Sequence, residues 1–316
     1  MYTELLPYEK LTQSALLALP REQAAVFWTV SPIEVHGPHL PLGTDIRVGD
    51  EVMRRTAKLW LAKYPNRPAL MLPALCLGAD TLRLPGSLQV SGELIVDAIV
   101  QVGTALHGIG FRTLVIGSNH GGPRHLIALE KARRILTKEK GMVVVNPFGA
   151  FMNAMTVRDP EVLGFAGMDP ASPLGGNDDV HAGTFETSLA LALFAEDVDP
   201  SYRKLPKVVV PRTGRVAGLM RAAAQRLRRR QKHGGHSRTA LGLENAAGLL
   251  EWLAMKPTPG YVGEPPLADA TVGDRALTGM ATHALDLLEH TLAGDAPEKA
   301  SEPFLWDARI IARLPL

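Results

Sequence analysis

The sequence predicts an α/β protein in which a mostly parallel sheet is flanked by helices on both faces. The first observation is that short apolar, β-branched runs alternate along the chain with longer segments of helical period. Each parallel connection needs a crossover, which a helix usually supplies, so this alternation is typical of parallel sheets. The second observation is that polar, ligand-type side chains follow two of the apolar runs. In sheets of this kind, ligands bind beyond the carboxyl ends of the strands.

Five apolar runs are predicted as strands and five longer segments as helices. The strand candidates are rich in Val, Ile and Leu, and they cover 24–30, 69–72, 112–117, 142–146 and 207–210. The helix candidates repeat apolar residues every three or four positions, and they cover 46–63, 92–107, 124–139, 183–194 and 274–291. We expect one domain over 1–316, with a helical insertion at about 211–259 that prolines bound on both sides.

Composition limits the classes of function. At 316 residues the chain can bury a sizeable core, and 46% hydrophobic with 21% charged residues is ordinary for a globular protein. A formal net charge of +2 gives no general attraction to nucleic acid or to anionic membranes. No run approaches the ~20 apolar residues of a membrane span, and the N-terminus does not have the pattern of a secretory signal. We therefore expect a soluble, cytoplasmic protein that binds neither nucleic acid nor membrane.

Two further features are interpreted as structural. Cys76 is the single cysteine, which excludes an intrachain disulfide and thiolate-rich metal sites. Its neighbours Leu75 and Leu77 predict that its side chain is buried. The basic run at 225–236 has no interleaved aromatic residues, so it is predicted as a solvated helix face and loop rather than a nucleic-acid surface.

The densest group of ligand-type side chains lies at 31–45, in the stretch SPIEVHGPHLPLGTD. It carries Glu34, His36, His39 and Asp45 among prolines and glycines that suit a rigid loop at a strand end. Residues two apart in extended backbone project to the same side, so Glu34 and His36 point together. A carboxylate and an imidazole on one side form half of a divalent-metal site, and Asp45 offers a second carboxylate with two oxygens for two ions.

A structural role for each of these residues is the alternative. Glu34 and Asp45 could cap the next helix, while the histidines would be ordinary loop residues. That interpretation suffices for any one of them, but it does not explain why so many ligand-type side chains share one loop. The set as a whole favours a metal site.

Two more junctions carry similar side chains. His120 lies in GSNHGG, directly after the predicted strand at 112–117. The glycines there could suggest a phosphate cradle, but the chain lacks both GxGxxG spacing and a P-loop Lys-Ser/Thr pair. The third junction, GGNDDVHAGTFETSLALAL, places Asp179, His181 and Glu186 before or within the first turns of an apolar helix. Glu186 alone would be interpreted as a helix-start carboxylate, but a third junction with His and Glu or Asp favours an active site.

Together these junctions resemble the creatininase (creatinine amidohydrolase) family. The resemblance rests on EVHGPHLPLGTD, on GSNHGG after a strand, on HAGTFETS at a helix start and on GYVGEPPLADATVGDRAL near the C-terminus. The resemblance extends from about residue 23 to about residue 288, and residues 211–259 are interpreted as an insertion relative to shorter members of the family.

The resemblance implies a layered α/β fold, a homohexamer, and two divalent cations per chain, with zinc as the first choice and manganese or iron as alternatives. It implies that Glu34, Asp45 and His120 hold one ion, with Asp45 bridging to the other. His36, Asp45 and one further carboxylate would hold the second ion. Some members take that carboxylate from the position that is Gly122 here, so Glu186 is the expected substitute.

The implied activity is metal-dependent hydrolysis of a C–N bond, in a cyclic amide or a formamide. His181 is the candidate acid for the leaving nitrogen. His39 is expected to orient its neighbours, and Asn119, Gly121 and Gly122 are expected to contact the substrate.

The substrate is open within and beyond this class. Members that act on creatinine carry tryptophans near the site, but this chain has none between Trp60 and Trp252, so another small molecule is expected. A mycofactocin-type peptide-trimming peptidase and a hydrolase of a small cyclic ketone are the alternatives in the family. Outside it stand a non-catalytic binding protein and a nucleotide-binding oxidoreductase.

Overall fold

A computed structural model describes residues 1–157, 159–167, 179–230, 238–296 and 300–303. Its centre is a five-stranded sheet in the order β1-β3-β2-β4-β5, and every neighbouring pair is parallel. The strands are β1 (Leu6–Pro7), β2 (Ala25–Thr29), β3 (Ala69–Met71), β4 (Thr113–Gly117) and β5 (Val143–Val145). The predicted α/β class with a parallel sheet is confirmed.

Ten α-helices lie within the described residues. They are α1 (Gln13–Ala18), α2 (Thr44–Lys63), α3 (Gly92–Gly108), α4 (Pro123–Lys140), α5 (Pro147–Val157), α6 (Pro160–Phe165), α7 (Thr184–Phe194), α8 (Arg215–Arg230), α9 (Arg238–Ala254) and α10 (Ala270–Ala293). Local chemistry sets several ends: the Ser91 hydroxyl caps α3, Pro123 opens α4, and Gly141 closes α4 with a left-handed φ of 65°. None of the helices in the described ranges is both long and apolar enough to cross a bilayer.

The two faces of the sheet form two separate cores, because alternate residues of each strand point to opposite sides. Phe27 of β2 and Val115 of β4 belong to the core that includes α2, α7 and α10. Val26 and Leu114 belong to the core that includes α3 and α4. Helices cover both faces of the sheet, as predicted. The ends of the strands are therefore the parts of the sheet that the helices leave uncovered.

The strand order brings the first two polar junctions together. The chain passes from β2 to β3 on one side and then to β4 on the other, so the order reverses beside β2. Thr29 pairs with Gly117 at the carboxyl ends of β2 and β4, and the hydroxyls of Ser31 and Ser118 lie 3.2 Å apart just beyond. The loops that carry Glu34 and His120 therefore start side by side.

Two local predictions were wrong. Residues 207–210 are not a strand of the sheet, since Val208 makes only an isolated bridge to Gly263 and Val210 is buried in a small cluster with Trp252. That apolar run reflects local burial rather than sheet membership. Cys76 is exposed, because side chains alternate along the extended segment after β3 and its neighbours Leu75 and Leu77 take the inward positions.

The close packing of α7 on α10 gives a stability prediction. A Cβ added at Gly273 would lie 2.0 Å from the carbonyl oxygen of Ser188, which is backbone and cannot rotate away. We expect Gly273→Ala to lower the free energy of unfolding by about 1–3 kcal/mol. The control is Gly218→Ala in α8, where nothing lies within 4 Å and alanine should stabilise by about 0.5–1 kcal/mol. Urea unfolding of both variants is the measurement, and equal stability of the two would contradict the packing.

Candidate metal centre

The loop after β2 fixes Glu34 and His36 through its own backbone. The Glu34 N–H donates to the Leu42 carbonyl at 2.9 Å, which closes the loop on itself. Nδ1 of His36 lies 3.0 Å from the Glu34 carbonyl oxygen, and the Leu82 N–H donates to Oε1 of Glu34 at 2.6 Å. Both side chains are buried, so the chain holds a carboxylate and an imidazole in one orientation inside the protein.

Asp45 lies in the first turn of α2 with one oxygen facing each of two histidines. Its Oδ1 is 3.2 Å from Nε2 of His36, and its Oδ2 is 3.4 Å from Nδ1 of His120. The side chain is only 1% exposed. This is the position that a bridging carboxylate requires.

His120 follows β4 and meets the same carboxylates. Its Nδ1 lies 2.9 Å from Oε2 of Glu34, and its Nε2 lies 2.9 Å from the Ala79 carbonyl oxygen. A Cβ on Gly122 would fall 2.4 Å from Nε2 of His120 and 2.6 Å from that same carbonyl. Position 122 therefore has no room for a carboxylate side chain without displacing the bond that orients His120.

The start of α7 brings in the third group. Oε2 of Glu186 lies 3.8 Å from Nε2 of His36 and 3.8 Å from Nδ1 of His181, and it accepts from the Ala182 N–H at 2.5 Å. Nε2 of His181 lies 2.8 Å from the Val35 carbonyl oxygen.

The turn before α7 is strained. Ala182 has a φ of 48°, and Asp80, which lies next to the Ala79 carbonyl, has a φ of 62°. These are the non-glycine residues with positive φ in the described part of the chain, and both flank the site. Strain of this kind is held where the surrounding structure fixes a functional geometry.

The hydrogen bonds of His36 and His120 leave available, on each ring, the nitrogen that a cation would need. His36 and His120 each direct one ring nitrogen at a backbone carbonyl, and a carbonyl can only accept. In a neutral ring, the proton sits on that nitrogen and the other one presents a lone pair to the carboxylates. Oε2 of Glu34 and Oδ2 of Asp45 are buried, and both face Nδ1 of His120, at 2.9 Å and 3.4 Å. Carboxylate oxygens and imidazole lone pairs that face one another fit a divalent cation.

Electrostatics agree with that fit. Burial lowers the pKa of His36, but the Asp45 carboxylate outweighs it and raises the pKa to about 10. Burial likewise acts against the charge of His120, yet the Glu34 and Asp45 carboxylates raise its pKa well above the usual range. Burial would raise the pKa values of the two carboxyls, but the imidazoles hold both below their usual range. Without a cation, protonated imidazoles would neutralise the buried carboxylates, and a bound cation would replace those protons.

Among the residues that the structure describes, the ligand-type atoms form three overlapping groups, each with its atoms within 4.8 Å of one another. One contains Glu34, Asp45 and His120, another contains His36, Asp45 and Glu186, and the last contains Glu34, His36 and His181. The first two are the sets that the family resemblance implies, and Asp45 belongs to both. The last makes His181 a competing ligand as well as a candidate acid.

A cavity of about 980 Å³ opens from this centre. Its lining includes Asn119, Gly121 and Gly122, all of which the sequence placed at the substrate, and also Glu186 and His181. His39 does not line the cavity. Its Nε2 lies 2.9 Å from the Thr187 hydroxyl, next to Glu186, where it can orient the start of α7. Its role as an orienting residue remains a prediction.

Sequence reasoning missed two residues at the site. Trp252 of α9 packs on His181 with ring centroids 5.4 Å apart, so a tryptophan does reach the centre, from a segment distant in sequence. His125 lies beneath His120 with ring centroids 5.2 Å apart and its Nε2 3.1 Å from the Ser118 hydroxyl. Burial and the neighbouring His120 charge lower the pKa of His125 to about 3. The HxxxxH spacing in the second junction was the available signal for His125, while no local pattern pointed to Trp252.

Comparison with known sequences connects this geometry to known proteins. A creatininase family model, described as creatinine amidohydrolase, matches residues 9–288. The mycofactocin precursor peptide peptidase of Mycobacterium tuberculosis is 32% identical over 185 residues, which are 57% of this chain and 62% of the relative. The 3-dehydro-scyllo-inosose hydrolase of Thermotoga maritima is 24% identical over 198 residues, which are 60% of this chain and 53% of the relative. The chain thus spans less than two thirds of either relative.

Solved structures show the same fold. A structure of creatininase Mn matches with a TM-score of 0.60 at 20% identity, covering 93% of this chain and 100% of that one. A creatininase mutant of the Zn–Zn type matches with a TM-score of 0.59 at 19% identity, covering 93% and 99%. At this level of identity the likeness is evidence for the fold alone.

Proposed function

Because this chain belongs to the creatininase family, we propose that it is a metal-dependent hydrolase that cleaves a C–N bond of an amide. The observation that carries the proposal is that the carboxylates of Glu34, Asp45 and the partly buried Glu186 lie beside two oriented, buried imidazoles, and that Asp45 faces both histidines. A protein does not normally bury this many ionisable groups without a compensating charge. The opening of the group onto a large cavity places that charge where a substrate can reach it.

We assign the ligands as two sets that share Asp45. Glu34, Asp45 and His120 would hold one cation, and His36, Asp45 and Glu186 would hold the other. Two divalent cations bound there would activate water as a nucleophile and polarise the carbonyl of the amide. Zinc is our first choice, with manganese or iron as alternatives, since carboxylates with imidazoles suit all three.

The remaining residues are assigned by what they can reach. His181 directs Nε2 at the Val35 carbonyl, so its Nδ1 faces Glu186 and the cavity. We assign Nδ1 as the atom that carries a proton to the leaving nitrogen. Asn119 is 5% exposed on the cavity wall, and no hydrogen bond of its side-chain amide lies within the described residues. That amide and the backbone N–H groups of Gly121 and Gly122 are available to a substrate oxygen.

Within the family, the size of the cavity favours a peptide amide over a small cyclic amide or formamide. Pockets for drug-sized ligands occupy roughly 300–1,000 Å³, and this cavity, at about 980 Å³, is at the upper end. The relative from Mycobacterium tuberculosis is named as a peptidase of a precursor peptide. We therefore propose peptide trimming as a specific form of the activity.

We also propose that the chain works in the cytoplasm as a homohexamer.

Elemental analysis tests the metal centre directly. We expect about two ions of zinc, manganese or iron per chain in the purified, dialysed protein. Removing them with a chelator should abolish amide hydrolysis, and refilling with the native metal should restore it. The substrate panel would contain cyclic amides, formamides and acetylated tetrapeptides, with release of amine as the readout. A protein that takes up no cation after refilling with each, or hydrolysis that a chelator does not affect, would refute the proposal.

A further inference from the structure

The helices α8 and α9 form one wall of the cavity and pack as an antiparallel pair. Two ion pairs define the register: Arg221 binds Glu251, and Arg228 binds Glu244 at 2.6 Å. As the residue number rises along α8 it falls along α9. Glu251 also accepts from the Gly214 N–H at 3.0 Å, so the turn before α8 is tied to the same point of α9.

The register orients this wall with respect to the metal centre. Trp252, which packs on His181, follows Glu251 directly, so the Arg221 end of the pair lies next to the centre. Arg228 is seven residues further along α8, which is about 10 Å at the rise of an α-helix. The wall therefore extends from the centre towards the outer part of the cavity.

This wall carries an excess of positive charge. The cations that line the cavity on or directly beside α8 and α9 are Arg212, Arg221, Arg228 and Lys256. Arg83 lines the same cavity from the loop after Leu82. Glu244 and Glu251 neutralise two of them. Arg83, Arg212 and Lys256 make no ion pair within 4 Å in the described part of the chain, and all three are exposed. Arg212 lies within electrostatic reach of Glu251, so Arg83 and Lys256 are the lining cations that have no carboxylate partner within the described residues.

We infer that this wall binds the carboxylate of a peptide substrate, whose amide bond then lies at the metal centre. The inference rests on the proposed function. It adds that the substrate carries a negative charge and that its C-terminal end binds at the wall. Arg212 precedes Gly214, which is bonded to Glu251, and Lys256 is four residues past Trp252. Both cations therefore lie at the end of the wall next to the centre, where they can meet the C-terminal carboxylate of a peptide whose amide bond lies at the metal centre. Arginine and lysine bind carboxylates through charge-assisted hydrogen bonds, which select an acid over the corresponding amide.

The matched probes are an acetylated tetrapeptide with a free C-terminal carboxylate and the same peptide as a C-terminal amide. Calorimetric titration of the metal-loaded protein should show the acid bound about tenfold more tightly. In the double variant Arg212→Gln, Lys256→Gln, the affinity for the acid should fall about tenfold and the affinity for the amide should stay within about twofold. The control is Lys204→Gln, Arg215→Gln, which removes the same charge from exposed positions outside the cavity lining and should keep the preference.

The outcomes separate this inference from the proposed function, because the titration needs no turnover. Equal binding of acid and amide by the wild type, or a preference that the cavity variant retains, overturns the inference. Metal content and amide hydrolysis are measured on the same samples. If both persist while the preference is absent, the hydrolase proposal stands and the carboxylate wall does not. If the protein prefers the acid but neither holds metal nor hydrolyses any amide, the wall stands and the hydrolase proposal fails.

Discussion

Replacing Asp45 with Asn is expected to remove both cations and to abolish hydrolysis. The two oxygens of Asp45 face different histidines, at 3.2 Å and 3.4 Å, so one side chain serves both proposed ligand sets. An amide has one oxygen and no charge, and it cannot replace a bridging carboxylate. Metal content should fall to roughly a tenth of the wild-type value, and the rate should fall more than the roughly 10- to 100-fold typical for loss of a supporting residue.

Asp50→Asn is the matched control for this variant. Asp50 lies on the same helix, but its carboxylate pairs with Arg54 at 2.7 Å, away from the centre. It should keep the wild-type metal content and rate. Elemental analysis and circular dichroism of both variants distinguish loss of ligation from loss of folding. A folded Asp45→Asn protein with two cations per chain would show that Asp45 does not bridge.

The second large effect is expected from His181→Gln, which should lower kcat by about 10²–10⁴-fold while both cations stay bound. Gln can still donate to the Val35 carbonyl, to which His181 now directs Nε2 at 2.8 Å. It cannot carry a proton to a leaving nitrogen. The loss should therefore be largest for ordinary alkyl amides and much smaller for a 4-nitroanilide, whose amine leaves with little need of a proton.

The same variant decides between two roles for His181. His181 belongs to a group with Glu34 and His36 whose ligand-type atoms lie within 4.8 Å of one another, so ligation is the competing role. Loss of one cation from His181→Gln, or equal losses for both kinds of leaving group, would show that His181 is a ligand and not the acid. His290→Gln, at an exposed ion pair with Asp295, is the control and should change neither metal content nor rate.

The parts of the fold and site that could be predicted are those in which local sequence decides structure. The buried strands and the amphipathic helices carry their period in the chain, and the parallel sheet follows from their alternation. Glu34 and His36 are two residues apart in an extended segment, so their common direction was predictable. The approach of His120 and Asp45 to these two residues was also predictable, because the carboxyl ends of β2 and β4 lie side by side.

The missed features depend on contacts between distant segments. Val210 is buried against Trp252 rather than in the sheet, and an apolar run cannot reveal which partner covers it. Trp252 reaches His181 only because α9 folds over the cavity, and a separation of 71 positions leaves no local trace of that contact. The two-residue strand β1 was too short for any period to show.

The α8–α9 pair supplies cavity wall and no member of the three ligand-type groups, all of which come from loops at the sheet edge and from the starts of α2 and α7. In the proposed enzyme, bond cleavage and substrate choice would then be carried by separate stretches of polypeptide. Mutations at 211–259 would change which substrates the proposed enzyme accepts and would leave the candidate ligand residues in place. The same division would make residues 211–259 a unit that can be exchanged without altering the candidate ligand residues, and an exchanged wall would then change the preference and not the chemistry.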